Sequence, residues 1–268
     1  MDLATSQGYT PLVQLLLAEG AKIDILNSQL ITPLHLAVLE GHTEVVMILL
    51  AYIREKYTEN DFRTFINALD TYYWSALHLA AYRGNHVMVK MLLDEGANIQ
   101  EQTIYQDTAL MLAAGHGHSH VVETLLTYIK EQKPEKLFEF VNDSNIHGLS
   151  ALHQAAQQGF VEIMRLLLAQ GARINGLGPD KKTPLMLAAA NGFSEAVQFL
   201  LANNAQVDAS TENKKRTALF LAAKNGNMDV VQVLLAYIKE KTPAQLKQFI
   251  NTSDIQGLTA SSKCQWAC

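Results

Sequence analysis

Apolar residues recur along this chain in short bursts of helical period, broken by single glycines. Within residues 32–50, Leu34, Leu36 and Ala37 form one stripe and Val45, Val46, Ile48, Leu49 and Leu50 a second, with Gly41 between them. Thr32 and Pro33 stand where a helix takes its N-cap and tolerates proline, and Gly41 suits a left-handed C-terminal cap. Thr43 can start the second helix. The pattern predicts two short helices folded back on each other. A unit this short cannot bury its apolar face alone and needs copies on either side.

Copies open at Ser75-Ala76-Leu77-His78, Thr108-Ala109-Leu110-Met111, Ser150-Ala151-Leu152-His153, Thr183-Pro184-Leu185-Met186 and Thr217-Ala218-Leu219-Phe220. With Thr32 and Thr259 included, the spacings are 43, 33, 42, 33, 34 and 42 residues. The three long intervals share a sub-motif: Tyr52-Ile53-Arg54-Glu55, Tyr128-Ile129-Lys130-Glu131 and Tyr237-Ile238-Lys239-Glu240. Each closes on Phe65-Ile66-Asn67, Phe140-Val141-Asn142 or Phe249-Ile250-Asn251, eight residues before the next opening. The additions therefore fall after the second helix and are expected to form a short extra helix. Thr242 and Pro243 read as its N-cap and first residue, and Phe65, Phe140 and Phe249 are its expected buried residues. Leu112, in a central first helix, is expected to be buried.

Thr32-Pro33-Leu34-His35-Leu36-Ala37 matches in full the Thr-Pro-Leu-His-x-Ala opening of the ankyrin repeat, whose period is about 33 residues. Gly20-Ala21-Lys22-Ile23-Asp24 and Gly171-Ala172-Arg173-Ile174-Asn175 match its closing turn. The chain resembles that family over nearly its whole length. The resemblance implies an all-α ankyrin-repeat solenoid of helix pairs with projecting β-hairpin fingers, three repeats carrying the extra short helix. Residues 1–258 are expected to form the repeat domain, about seven repeats with a truncated first one, and residues 259–268 an incomplete repeat or tail. The long inserts look more like ankyrin proteins of intracellular bacteria than regular animal ones.

The net charge of −5 argues against non-specific binding of nucleic acid. The two cysteines, Cys264 and Cys268, make no disulfide framework and fit a reducing compartment. No signal stretch opens the chain, and no run of about 18 apolar residues could span a bilayer. The expected location is the cytoplasm, or a host cytosol for a secreted bacterial effector. His35, His78 and His153 occupy the family's structural histidine position, which bonds adjacent turns. His116, His118 and His120 are denser, but no carboxylate or cysteine beside them completes a metal shell. No phosphate loop, nucleophile elbow or His-Glu-x-x-His occurs. No catalytic residue, metal, cofactor or small-molecule substrate is expected.

The expected partner is another protein, held by the fingers and concave face. One set of tips carries Tyr72, Tyr73, Trp74 and Tyr105, residue types enriched at binding hot spots. Tyr73 and Gln106 stand where the family places glycine, and register puts Tyr72 beside Tyr105. Mutual shielding is the competing explanation of these aromatics. A second set carries Lys181, Lys182, Lys214, Lys215 and Arg216, which suit an acidic stretch on a partner or form an idle solvated charge run. Nucleic acid fits poorly, because aromatics and basic tips lie several repeats apart. The alternative function is a targeting domain for an enzyme or toxin whose catalytic part lies elsewhere.

Overall fold

The computed structural model describes residues 1–23, 28–251, 254 and 257–260. Asp24 of the first closing turn, Ser261 to Cys264, and Cys268 lie outside them. The described residues form seventeen α-helices and three short 3-10 segments, with no strand among them. The chain divides into two compact units, Met1–Phe140 and Val141–Cys268.

The first unit stacks four helix pairs: Asp2–Ser6 with Thr10–Ala18, Pro33–Leu39 with Thr43–Lys56, Ala76–Arg83 with His86–Asp94, and Ala109–Gly115 with Ser119–Gln132. First helices pack on first helices along this stack. The second unit repeats the arrangement with Ala151–Gln158 and Val161–Ala169, Pro184–Asn191 and Ser194–Ala202, and Ala218–Lys224 and Met228–Lys241. The core in each is the set of residues the period selects. Leu34, Leu77, Leu110, Leu152, Leu185 and Leu219 are all at most 2% exposed, and Leu112 is buried.

The capping residues do what their positions predict. Thr32 Oγ1 accepts from the His35 N–H at 3.3 Å, and His35 Nδ1 accepts from the Thr32 N–H at 3.2 Å. This is a capping box in which histidine replaces the usual glutamate. Ser75 and His78 repeat it. With Nδ1 accepting, Nε2 carries the proton and donates to the next turn: His35 to the Trp74 carbonyl at 3.1 Å, His78 to that of Glu101 at 3.0 Å. In the second unit, His153 donates to the Gly176 carbonyl at 3.0 Å.

Burial pushes the pKa of all three histidines down, His78 to about 4. The unfolded chain therefore binds protons first as pH falls, and stability present above pH 6.5 is lost between there and about pH 4. At pH 5, His78 alone should cost about 2 kcal/mol, with His35 and His153 adding in the same direction. Urea unfolding at pH 7.5 and pH 5 checks this. Equal midpoints would show that the folded protein protonates these rings freely.

Helices occupy the inserted segments, but the expectation fails at Phe65. In the helix Glu59–Ile66, Phe62 and Ile66 are the buried pair, at 2% and 1% exposure, and Phe65 is half-buried. Thr58 and Asp61 form a capping box that starts this helix at Glu59, which fixes the buried face at i and i+4. Phe65 lies off that face, over an apolar notch with Ile53 and Tyr57. The other two inserts open with a 3-10 turn at proline, Pro134–Lys136 and Pro243–Gln245. There Phe140 and Phe249 are buried. Thr242 stands at the N-cap position, with Pro243 following, but makes no side-chain capping bond: its hydroxyl donates backwards to the Ile238 carbonyl at 3.3 Å.

The closing asparagines explain their fixed spacing. Asn67 Oδ1 accepts from the Asn98 N–H at 2.7 Å, Asn142 Oδ1 from that of Arg173 at 2.7 Å, and Asn175 Oδ1 from that of Gln206 at 2.8 Å. Each ties one repeat to the closing turn of the next, so an insert can lengthen only what precedes it.

Candidate protein-binding surface

The segments expected as hairpin fingers are tight turns, each too short to begin a ladder. In the first unit, the Asp70 N–H donates to the Trp74 carbonyl at 3.0 Å, and Asp70 Oδ1 accepts from the N–H groups of Tyr72 and Trp74 at 2.8 and 2.9 Å. Thr103 plays the same part for the next turn, taking the N–H groups of Tyr105 and Asp107 on Oγ1. Successive turns are laced by backbone bonds, Thr71 N–H to Gln29 carbonyl at 3.1 Å and Ile104 N–H to Tyr72 carbonyl at 2.9 Å. The neighbour of Tyr72 across this bond is Ile104, one residue before the expected Tyr105.

Tyr73 sits at φ 60 and Gln106 at φ 59, the left-handed region in which glycine would be unstrained. Tyr73 is 54% exposed, as is Tyr72, while Tyr105 is 52% and Ile104 47% exposed. Trp74 is different. It is half-buried and meets Tyr82 edge-to-face at 5.5 Å and His78 at 6.3 Å. Tyr82 in turn meets His116 at 4.4 Å between ring centroids. Aromatic surface therefore runs from the base of the turn along the ends of two first helices. Sequence reasoning missed Tyr82, and weighed His116 only as a metal ligand. A signal was available, because Leu39, Gly115, Gln157, Ala190 and Lys224 hold the position of Tyr82 in other repeats, and none is aromatic.

His116 and His118 of the histidine group are engaged by the backbone. His116 Nδ1 donates to the Leu112 carbonyl at 2.8 Å, and His118 Nε2 to that of Tyr82 at 2.9 Å. Among the described residues, no three metal-ligating side chains are grouped to hold an ion. Elsewhere on the first unit, the helix Glu59–Ile66 and the end of Ser119–Gln132 flank a cleft of about 410 Å³ lined also by Gly96. An Arg54–Glu95 ion pair spans from the lengthened helix to the rim of this cleft.

In the second unit, the basic tips are less free than their sequence suggests. Lys181 pairs with Glu212 at 2.9 Å. Arg216 was expected as a surface charge, yet its side chain is only 12% exposed and its Nε and Nη2 donate to Asp254 Oδ2 at 3.1 and 2.9 Å. A carboxylate arriving from 38 residues downstream draws the guanidinium inward, over the Phe220 ring. Lys214 and Lys215 are exposed and Lys182 is half-buried. Lys215 and Lys181 also hold positive φ, at 52 and 55.

A family model described as ankyrin repeats in three copies matches residues 1–103, 59–136, 98–177, 129–211 and 175–244. Among curated proteins, the chain is similar to a transient receptor potential cation channel subfamily A member 1 homolog of Caenorhabditis elegans. The two are 31% identical over 188 residues, 70% of this chain and 14% of the relative. Ankyrin repeat and SOCS box protein 3 of Bos taurus is 33% identical over 190 residues, 70% of this chain and 33% of the relative. A probable E3 ubiquitin-protein ligase of rice, XBOS32, is 37% identical over 101 residues, 35% of this chain and 18% of the relative. The chain thus spans at most a third of any of these three.

Proposed function

Because the chain belongs to the ankyrin-repeat family, we propose that it holds another protein through the aromatic turn tips of its first unit, with the lysine tips of the second steering the approach. Proteins of this family are generally interaction modules rather than enzymes, and no helix among the described residues is long and apolar enough to cross a membrane. The observation that carries the finer reading is Tyr73. An exposed ring on a left-handed residue is unfavourable twice in the free protein, through backbone strain and through apolar surface left in water. Glycine would remove both. A partner that buries the ring supplies the missing compensation. We read the turns as short hairpin fingers, and residues 1–258 as the repeat domain that presents them.

Tyr73→Gly should therefore raise stability by up to about 1 kcal/mol while weakening binding. Trp74→Ala should speed dissociation, at a cost of about 2 kcal/mol. Charge reversal at Lys214 and Lys215 should slow association, mostly at low ionic strength. Affinity capture identifies the partner, and surface-plasmon kinetics at two salt concentrations then separate these effects. Unchanged kinetics in all three variants would remove the turn tips from the interface and leave the insert cleft as the better surface. A second reading, in which the repeats select a target for a catalytic part elsewhere in a longer polypeptide, draws support from the relative named as a ligase, of which the match covers 18%.

A further inference from the structure

Along the turns of the second unit, exposed aliphatic side chains give way to lysines. These turns keep the register of the first unit: the Glu212 N–H donates to the Asp180 carbonyl at 2.8 Å, as that of Ile104 does to Tyr72. Ile146 is 51% exposed on the turn 145–149, and Leu177 is 61% exposed immediately before the turn 178–182. The two turns lie close together, since a Cβ placed on Gly148 would come 3.7 Å from the Pro179 nitrogen. The next turn, 211–216, is tied to the second of them by the Glu212 bond and by the Asn213 N–H, which donates to Asp180 Oδ1 at 2.7 Å.

The cations on these turns divide into paired and unpaired. Lys181 is taken by Glu212 and Arg216 by Asp254. The ammonium groups of Lys182, Lys214, Lys215 and Lys224 pair with no carboxylate among the described residues, on a chain whose net charge is −5. Lys224 stands eight residues after Arg216, the spacing at which Tyr82 meets Trp74 in the first unit. The basic surface thus runs from the turn onto the end of the first helix, at positions that are aromatic in the first unit. Lys181 and Lys215 hold φ 55 and 52 at a turn position where Gly148 and Gly257 stand unstrained at 73 and 76.

We propose that these turns hold a short acidic segment of a protein partner. Its carboxylates meet Lys182, Lys214, Lys215 and Lys224, and an aliphatic side chain flanking them packs on Ile146 and Leu177. The proposal rests on the reading that the lysine turns meet an acidic partner, and it makes them a site that holds as well as steers. Charge complementarity selects the occupant. A nucleic acid fits less well, because no aromatic side chain among the described residues of this unit is exposed for base stacking and the Arg216 guanidinium is turned onto Asp254. A long polyanion would also meet the negative charge carried by the rest of the chain.

The test uses the full chain and fluorescein-labelled probes of equal charge at physiological ionic strength. They are a run of Asp and Glu with leucines at both ends, the same run with serines in place of leucine, and oligouridine. By fluorescence anisotropy, the leucine peptide should bind tightest. Lys214→Glu with Lys224→Glu should weaken it at least about tenfold. Lys239→Glu with Lys247→Glu makes the same change in net charge on exposed lysines elsewhere in this unit, and should weaken it less than about twofold. Ile146→Ser with Leu177→Ser should lower affinity for the leucine peptide several-fold and leave the serine peptide unchanged. Trp74→Ala should change neither, so failure of the aromatic turns to hold a partner would leave these affinities standing. Slower association at low salt with unchanged affinity in the Lys214–Lys224 variant would keep the steering role and overturn the holding site. Equal losses from the two lysine pairs, equal binding of the two peptides, or tighter binding of oligouridine would each overturn the proposal.

Discussion

Arg216→Ala is expected to destabilise the second unit by about 3–5 kcal/mol, because it strands a buried carboxylate. Asp254 is 0% exposed on its side chain, and Arg216 satisfies its Oδ2 with two N–H groups while Oδ1 accepts from the Leu258 N–H at 3.1 Å. Removing the cation leaves Oδ2 desolvated without that compensation. The cost should be nearly independent of salt, since ions cannot reach the pair. Lys181–Glu212 provides the contrast. Both its side chains are about half exposed, so Lys181→Ala should cost well under 1 kcal/mol and the effect should shrink in salt. Denaturant unfolding of both variants at low and high salt measures the difference. Arg216→Leu combined with Asp254→Asn should recover much of the loss, because it removes the stranded charge. A loss under about 1 kcal/mol for Arg216→Ala would mean that water or other bonds of Asp254 hold its charge without the guanidinium.

This ion pair also marks where the sequence stopped being legible. The helix pairs could be read because their determinants are local. Thr32 caps the helix three residues ahead of His35, and Gly41 ends it within one turn. The same local grammar recurs six times, so errors in one copy are corrected by the others. Arg216 depends on a residue 38 positions away, and nothing near it announces the partner. Phe62 against Phe65 failed differently. The insert's buried face follows from where its helix starts, and the start at Glu59 is set by the Thr58–Asp61 box, which the Phe-Ile-Asn motif does not reveal. In the candidate surface, the exposure of Tyr72, Tyr73 and Tyr105 was readable from the turn register. The packing of Trp74 onto Tyr82 and of Tyr82 onto His116 was not, because it joins a turn to two successive helices.

Gly84→Val should cost about 3–4 kcal/mol, and the loss should divide into two parts with different remedies. Gly84 caps its helix at φ 76, a conformation that costs a side-chain-bearing residue about 1–2 kcal/mol. A Cβ there would also meet His118 Nδ1 at 2.5 Å and Cε1 at 2.7 Å. The ring must then move, adding about 1–3 kcal/mol of overpacking and breaking its bond to the Tyr82 carbonyl. His118→Ala in the same chain should relieve the second part and leave the first. The double variant is therefore expected to be more stable than the sum of the two single losses predicts, by about 1–2 kcal/mol. Gly96→Val is the control: at φ 92 it shares the backbone cost, but its Cβ meets no described atom within 4 Å. Combined with His118→Ala, it should show simple additivity. Urea unfolding of the three single and two double variants gives the coupling energies directly. If Gly84 and His118 prove additive, the ring is not seated on the glycine.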